Sequence, residues 1–337
     1  MIGRGIGIPF RHVHGTESEI SFDKSLVDAW FMSGYSNDNP PASIKGYKGH
    51  ELVLKNFAFA GSSGFGKYSV NKRTWADTNR CERIDVDYLT YTFVNITESS
   101  GSVLQYIDGA QFSAVGNIVK VRVAGIPEGG KVDIGNYITN ITEDGVYEGT
   151  YTRNTNNTIT ISTTNCIGAT ITVEFLPDNA GSLVFDGVDD YAICDNMPIQ
   201  TDYTVICRRQ IWDKQNDNET VVASKSLSYD TGAFIFELLK NSTNDQCRSF
   251  GTLSSILVEK SDSISYQTST SYNGTNITKG TGTDTDILYL GNTRKNDNRY
   301  LYGAIYYFAL YDKSLTPDEI EQEKIKLNEI WTKRLNG

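Results

Sequence analysis

Gly181-Ser-Leu-Val-Phe-Asp-Gly-Val-Asp-Asp-Tyr-Ala-Ile193 is the stretch of this sequence that decides the fold. Leu183 and Phe185 alternate with small or polar residues, as they would in a strand with one buried face, and an Asp-Gly pair predicts a tight turn before the next strand. About a hundred residues downstream, Tyr302-Gly-Ala-Ile-Tyr-Tyr-Phe-Ala-Leu-Tyr311 predicts a long strand. The two blocks of predicted strands therefore lie about a hundred residues apart in sequence.

These blocks resemble, in their order and spacing, the opening and closing strands of the laminin-G-like, concanavalin-A-like β-sandwich. The resemblance covers Leu183 to about Ile325. It extends to the aromatic strand Leu26-Val-Asp-Ala-Trp-Phe-Met32, because laminin-G-like domains usually begin with such a strand and a Gly/Asn loop. The resemblance implies an all-β jelly-roll sandwich.

The segment at about 80–180 interrupts this pattern and has a strand pattern of its own. Apolar residues alternate there with polar ones between turns rich in Gly, Asn and Asp, which is typical of an antiparallel sandwich. The alternating apolar residues include Val119, Val121, Val123, Ile171, Val173 and Phe175. We therefore predict a small immunoglobulin-like β-sandwich at 80–180, inserted into a laminin-G-like domain made of 25–75 and 181–325.

The end of the chain predicts its one clear helix, over residues 316–334. Thr316-Pro-Asp-Glu319 is a capping box with Pro at the first helical position and acidic residues in the first turn. Apolar residues follow at helical spacing, so one face should lie on the sandwich or on a partner. These residues are Ile320, Leu327, Ile330 and Trp331.

Residues 1–24 predict an N-terminal arm rather than a folded unit. Glycines alternate with Ile6, Ile8 and Phe10, and charged and polar residues follow. Such a segment buries little of its own surface, so we expect it to dock as an extended strand on a neighbouring protein. The three apolar residues are the predicted anchor.

Composition excludes several classes of function. The formal net charge is −10, and Lys and Arg do not cluster, which argues against nucleic-acid binding. No apolar run could span a bilayer, and the opening decapeptide lacks the apolar core of a signal peptide. The five cysteines include no C-x-x-C pair, so we expect small buried residues in a reducing compartment rather than zinc ligands or a disulfide framework.

No acidic pair in the sequence is spaced for glycoside hydrolysis, so we predict a protein that is not an enzyme. Glu82, Asp85 and Asp87 have the wrong spacing. Asp186, Asp189 and Asp190 span a turn, which is expected to splay their side chains apart. Two carboxylates facing each other across a cleft are therefore not predicted.

Calcium is the usual candidate ligand in laminin-G-like sandwiches, so the resemblance implies calcium as a candidate cofactor. No other cofactor is predicted. The available oxygen donors on predicted loops are Asp189, Asp190, Asp195 and Asn196. The loop that commonly contains Asp-x-x-Gly-Asn has Ser43-Ile-Lys-Gly-Tyr47 here, which lacks one oxygen ligand. The alternative is that the four donors only form turns.

A glycan site would need aromatic faces for stacking on sugar rings. We predict Trp212, Tyr300 and Tyr302 as the glycan-binding residues. The two tyrosines lie beside a polar run, which favours exposure of their rings. Tyr289, Tyr306 and Tyr307 also qualify by type, but alternating aromatics in a sandwich more often belong to the core.

A second resemblance covers nearly the whole chain. It rests on the order of Gly3-Arg-Gly-Ile-Gly-Ile-Pro-Phe10, Asn56-Phe-Ala-Phe-Ala-Gly-Ser-Ser-Gly-Phe-Gly66, the inserted sheet ending in Phe175-Leu-Pro, and Ser182-Leu-Val-Phe-Asp-Gly-Val-Asp-Asp-Tyr191. In this order the sequence is similar to virion proteins of tailed phages of gut Bacteroides-type bacteria, including crAss-like phages.

The second resemblance implies a structural protein of the virion, made in the host cytoplasm. A head fibre, a tail fibre and a capsid decoration all fit, with other virion proteins as partners through the arm. It also implies a homo-oligomer, with a trimer as one form, and carbohydrate binding to host glycans. The alternative is a bacterial glycan-binding or glycan-cleaving module of the concanavalin-A-like type.

Overall fold

The structure is a computed structural model, and it describes residues 20–68, 75–87, 89–106, 118–150, 160–212, 219–226, 232–239, 245–294 and 298–336. These residues form antiparallel sheets and a C-terminal helix, α1 (Pro317–Asn336), which confirms the predicted mainly-β architecture. In chain order the strands are β1 (Leu26–Phe31), β2 (Ser43–Lys45), β3 (Glu51–Lys55), β4 (Gly64–Lys67), β5 (Trp75–Asp77), β6 (Cys81–Asp87), β7 (Thr90–Ile96), β8 (Ser100–Tyr106), β9 (Ile118–Ala124), β10 (Lys131–Ile134), β11 (Ile138–Ile141), β12 (Gly145–Thr150), β13 (Thr160–Thr164), β14 (Ile171–Leu176), β15 (Asp178–Asp186), β16 (Tyr191–Cys194), β17 (Thr204–Ile211), β18 (Thr220–Lys225), β19 (Phe234–Leu239), β20 (Gln246–Ser249), β21 (Thr252–Ser255), β22 (Ser263–Thr268), β23 (Ser271–Tyr272), β24 (Thr275–Asn276), β25 (Leu288–Leu290) and β26 (Tyr302–Tyr311).

Two sheets are built from strands at both ends of the sequence, within 26–67 and 178–311. Sheet I has the order β24-β23-β22-β17-β26-β15-β4, with β1 also paired to β26, and sheet II has the order β2-β3-β16-β25-β18-β19-β20-β21. Their facing sides share one hydrophobic core, to which Trp30 and Phe308 contribute from sheet I and Leu52 and Phe236 from sheet II. The two sheets therefore pack as a β-sandwich.

Strand β26 joins the distant parts of sheet I. Strand β17 pairs along one side of β26, whereas β1 and β15 share the other side, at 307–311 and 302–305 respectively. Phe308 and Leu310 point into the core between the sheets, and Tyr307 and Tyr311 point to the opposite face. Both faces of β26 are thus covered.

The intervening segment forms a second pair of sheets. Sheet III has the order β11-β10-β13-β8-β5, and sheet IV has the order β12-β9-β14-β7-β6. In β9 the residues Val119, Val121 and Val123 are buried, whereas Lys120 and Arg122 between them are not. Within the described ranges, the strands of 75–176 pair only with one another. They enclose a separate hydrophobic core.

A buried ion pair crosses the first sandwich from sheet I to sheet II. Arg209 on β17 donates to both oxygens of Glu237 on β19, at 2.6 and 2.7 Å, and neither side chain is exposed. Tyr272 donates its hydroxyl to the same carboxylate at 2.7 Å. Glu237 has a φ of 54° at a register shift, so a β-bulge places its carboxylate in the core. Removing one partner of such a pair typically costs about 3–5 kcal/mol.

Helix α1 covers the outer face of sheet I. The predicted capping box is present, since the Thr316 amide donates to Glu319 Oε2 (2.7 Å) and the Glu319 amide donates to Thr316 Oγ1 (3.4 Å). The Trp331 indole donates to the Gly181 carbonyl at 2.8 Å, which fastens the helix to β15. The buried face consists of Ile320, Leu327, Ile330 and Trp331, as the helical spacing predicts.

The last residues of the predicted arm lie on this sandwich. The Tyr47 hydroxyl donates to the Ile20 carbonyl at 3.1 Å, and the Phe22 ring meets Tyr47 edge to face at 5.0 Å. Lys313 binds Asp23 at 3.2 Å. The predicted anchor residues Ile6, Ile8 and Phe10 lie outside the described part of the chain.

All five cysteines are free and buried, as the sequence predicts for small core residues. Burial raises the pKa of the Cys194 thiol to about 12, which keeps that thiol protonated at neutral pH. None of the helical structure in the described ranges is both long and apolar enough to cross a membrane.

Candidate functional site

Two of the predicted glycan-binding aromatics meet at one end of sheet I. The rings of Trp212 and Tyr302 lie edge to face with their centroids 5.2 Å apart, and the Trp212 amide donates to the Tyr302 carbonyl at 2.9 Å. Both side chains are partly exposed. Lys67 places its Nζ 4.6 Å from the centroid of the Trp212 ring. We call Lys67, Trp212 and Tyr302 the aromatic corner.

The other candidate tyrosines lie elsewhere. Tyr300 is partly exposed in the segment that leads into β26. Tyr289, Tyr306 and Tyr307 are buried, with 5%, 4% and 0% of their surface exposed. These three belong to the core, as the alternation of aromatics along the strands favours.

An acid turn, Asp186–Asp190, connects β15 of sheet I to β16 of sheet II. The expectation that its carboxylates splay apart is wrong, because one ligand oxygen from each of Asp186, Asp189 and Asp190 lies within 4.8 Å of the others. Gly187, at a φ of 79°, lets the chain fold back. Asp186 Oδ1 then accepts the Val188 amide at 2.8 Å, and Asp190 Oδ2 accepts the Asp186 amide at 3.0 Å.

The acid turn and the aromatic corner touch. Asp186 is the cross-strand partner of Tyr302. A Cβ atom at Gly187 would lie 2.9 Å from Tyr302 Cβ, which is closer than real Cβ atoms approach one another. A glycine is therefore required at 187 for both its conformation and this contact. The turn and the corner together form one partly exposed surface at the rim of the first sandwich, which we call the acid–aromatic surface.

Asp190 is the unusual member of the acid turn. Its side chain is buried, and Oδ1 has no hydrogen-bond partner among the described residues. Burial, reinforced by the charge of Asp186, raises the pKa of the Asp190 carboxyl to about 7. Asp189, by contrast, is exposed. The turn thus combines a solvent-accessible carboxylate with a buried one whose charge is compensated only in part.

The predicted set of four calcium ligands does not form one cluster. Asp189 and Asp190 precede β16 (Tyr191–Cys194), whereas Asp195 and Asn196 follow it. An extended strand advances about 3.3 Å per residue, so these two pairs lie on the order of 15 Å apart. Asp186 takes the place of the distant pair in the observed cluster.

Residues 43–47, where laminin-G-like domains commonly have the Asp-x-x-Gly-Asn sequence, lie in β2 and the turn that follows it, and this turn is organised around a different carboxylate. Asp28 Oδ1 accepts the Lys48 amide at 2.7 Å, and Asp28 Oδ2 accepts the His50 amide at 2.8 Å. A Cβ atom at Gly46 would overlap the Asp28 carboxylate. Backbone amides therefore occupy the oxygens that a cation would need.

Sequence reasoning missed Asp186 and Lys67 as members of the site. Asp186 could have been found, because an Asp followed by Gly tends to bind amides two or three residues ahead and thereby closes its turn. Lys67 carries no local signal, since its position opposite Asp178 depends on the pairing of β4 with β15. Burial raises the pKa of Asp178, while the charges of Lys67 and Lys120 oppose that rise. Lys120 belongs to sheet IV, so the corner lies near the second pair of sheets.

Comparison with protein-family models finds no match to this chain, and no curated protein matches it either.

The pKa of Asp190 predicts how stability depends on pH. Because the folded-state pKa (about 7) lies above the unfolded value of 3.8, protonated Asp190 stabilises the fold fully below pH 3.8, and this contribution is lost as the pH rises through about 7. Asp190→Asn supplies a neutral side chain at every pH. We expect its melting temperature, relative to the native protein, to rise between about pH 4 and pH 7.

Thermal melts of both proteins across that range, in metal-free buffer, test this expectation. Asp195→Asn is the matched control, since it makes the same chemical change in the exposed turn beyond β16. A difference between Asp190→Asn and the native protein that stays constant from pH 4 to pH 8 would contradict the assignment.

Proposed function

We propose that this chain is a structural protein of a tailed-phage virion. It displays a laminin-G-like jelly-roll sandwich that carries an inserted immunoglobulin-like module. What supports the proposal is the order of strands in sheet I, where β1 and β4 from 26–67 pair with β26 and β15 from beyond the second pair of sheets. That order suits a laminin-G-like domain interrupted at a loop. The blocks that resemble phage virion proteins follow one another in the same order.

The N-terminal arm is the part of this proposal that attaches the protein to the particle. Residues 20–23 already contact the sandwich through Tyr47 and Lys313, so the arm emerges from a fixed point. Ile6, Ile8 and Phe10 precede that point. They would enter a groove or sheet edge of another virion protein or of a sister subunit in a homo-oligomer.

Deleting residues 2–19 tests the attachment. We expect the truncated protein to keep its melting temperature, because every contact of residues 20–23 is retained, and to disappear from purified virions. Mass spectrometry of particles from a phage complemented with each version measures its occupancy. The matched change Ile325→Ser, at an exposed residue of α1, should leave occupancy unchanged.

If the native protein is absent from purified particles, the virion assignment is wrong. If the truncated protein assembles at normal occupancy, the arm is not the attachment.

The acid–aromatic surface is the part that would contact host glycans. Trp212 and Tyr302 form an edge-to-face aromatic pair, Lys67 adds a cation, and Asp189 offers exposed oxygens for hydroxyl groups. The same surface favours the alternative of a bacterial glycan-binding module. The two alternatives differ in whether the protein is found in virions.

A glycan-cleaving role fits the acid turn poorly. Glycosidases hold their two carboxyl groups about 5–5.5 Å or about 6.5–9.5 Å apart, with the sugar between them. Here the three acidic side chains bring oxygens within 4.8 Å of one another, and Asp190 is fully buried. We therefore include no enzymatic step in the proposal.

Trp212→Ala tests the glycan contact. On an array of bacterial surface polysaccharides we expect the native protein to bind, and the variant to lose about tenfold in affinity, in line with an aromatic contact worth about 0.5–1.5 kcal/mol. Tyr266→Ala is the matched control, because Lys324 lies over the Tyr266 ring at 4.8 Å as Lys67 lies over Trp212. Equal binding by native protein and Trp212→Ala would remove this surface from consideration.

Calcium is the cation that the acid turn would hold. Hard cations of this kind select carboxylate oxygens, and a cation would compensate the buried charge of Asp190, whose Oδ1 lacks a partner within the described ranges. The exposed Asp189 would provide the entry path. A cation there would also stiffen the turn that packs on Tyr302 through Gly187.

Calcium titration at pH 7.5 tests this part of the proposal. At about a hundredfold excess over Kd, binding to the folded state alone should stabilise the protein by about 2.7 kcal/mol. Asp189→Asn should abolish the gain, whereas Asp195→Asn should keep it, because only Asp189 belongs to the cluster. A gain that depends on Asp195 would favour the set of ligands predicted from sequence alone, and no gain in the native protein would exclude the site.

A further inference from the structure

A second buried ion pair, Lys225–Asp284, lies apart from the acid–aromatic surface. Lys225 is the last residue of β18, and Asp284 lies in the segment that leads into β25. Both side chains have no exposed surface. A lysine is almost never fully buried, so this pair calls for an explanation of its own.

The hydrogen bonds around the pair are few and specific. Lys225 Nζ donates to Asp284 Oδ2 and, at 2.8 Å, to the Pro198 carbonyl. Asp284 Oδ2 also accepts the Gln200 amide at 2.7 Å, and Asp284 Oδ1 accepts the Thr285 amide at 2.7 Å. The pair therefore fixes two loops, one on each side of Lys225.

This set of partners suits an amide better than an ammonium. An ammonium has three N–H donors, and the described residues supply Lys225 with two acceptors. A secondary amide has one N–H, for which the Pro198 carbonyl is in place, and one carbonyl oxygen, for which the Thr285 amide at Oδ1 is in place. The surroundings would satisfy the product of a condensation.

The same surroundings favour the reactive forms of the Lys225 amine and the Asp284 carboxyl group. Burial lowers the pKa of Lys225, which favours a neutral, nucleophilic amine. Transfer of one ammonium proton to Asp284 turns the ion pair into a neutral amine beside a carboxylic acid, which a buried site tolerates better than separated charges. The two backbone amides can stabilise negative charge on the attacked carboxyl group.

We propose that Lys225 and Asp284 form an intramolecular isopeptide bond. The lone pair of Lys225 Nζ attacks Asp284 Cγ, the C–N bond forms, and the C–O bond to one carboxyl oxygen breaks. That oxygen leaves as water with the proton already on the carboxyl group and one proton from the amine. No oxidant, reductant or further reactant is needed.

The other buried pair of the same sandwich provides an internal contrast. Arg209 and Glu237 are equally buried, but a guanidinium stays protonated and is not a nucleophile. Arg209 also has further acceptors in the hydroxyls of Ser263 and Ser265. The N–H donors of the charged Arg209 guanidinium therefore have acceptors.

Intact mass spectrometry of the purified full-length chain under denaturing conditions tests the proposal. We expect a mass one water below that of the sequence, and a digest in which the Lys225 peptide is joined to the Asp284 peptide. Lys225→Met and Asp284→Ala should each have the full mass of their sequence. Asp284→Asn should lose ammonia in place of water and so arrive at the same mass as the cross-linked native chain.

The branched peptide separates this bond from other losses of water. The Asp186-Gly187 sequence can close to a cyclic imide, which would also remove one water but would persist in Lys225→Met and give no branched peptide. The measurement on the native protein decides the matter even where a variant does not fold. A folded native chain of full mass, or one lacking the branched peptide, would overturn the proposal.

Discussion

The structure depends most on the pairing of β26 with three strands from different parts of the chain. Its backbone groups on one side pair with β17, and those on the other side pair with β1 and β15. A strand covered on both faces cannot leave these groups unpaired without a large cost, because no water reaches them. Strand β26 therefore has to insert between segments that lie more than a hundred residues apart in sequence.

The position of the acid–aromatic surface follows from this constraint. Tyr302 begins β26, and its neighbours across the sheet are Asp186 at the end of β15 and the residues that end β17 just before Trp212. Three segments thus converge where β26 starts. Gly187 completes the arrangement, since any side chain there would push against Tyr302. The surface is a consequence of strand register rather than of a local motif.

The sequence predicted those features that depend on short-range periodicity. Alternation in β9 and β14 predicted strands with one buried face, and Thr316 with Glu319 predicted the start of α1, because both signals arise from neighbouring residues. The candidate site was harder to predict, because its geometry depends on pairing between distant strands. Trp212 and Tyr302 were chosen for their type, but nothing local shows that their rings meet.

The acidic residues illustrate the same limit in more detail. Spacing alone made Asp189, Asp190, Asp195 and Asn196 a plausible set, although β16 separates the two halves. Spacing also suggested that the acids of the turn would splay, although Gly187 and the hydrogen bonds of Asp186 fold them together. A turn can bring nearby side chains together or apart according to one φ angle, and the order of residue types does not reveal which.

This β-sandwich contains several buried charged side chains. The partners of each charge indicate whether that charge serves the fold or is a candidate for function. Glu237 has a guanidinium and a tyrosine hydroxyl, and Asp28 on β1 has the amides of Lys48 and His50 in the turn between β2 and β3. In both cases hydrogen bonds from the fold itself compensate the buried carboxylate, so each of these residues is explained by a structural role alone. Asp190 differs, because one of its oxygens is buried beside two further acidic residues and has no partner in the part of the chain that the structure describes. A carboxylate left in that state costs stability at neutral pH unless a proton or a cation joins it, so the acid turn is where the stability of this fold is expected to depend on pH.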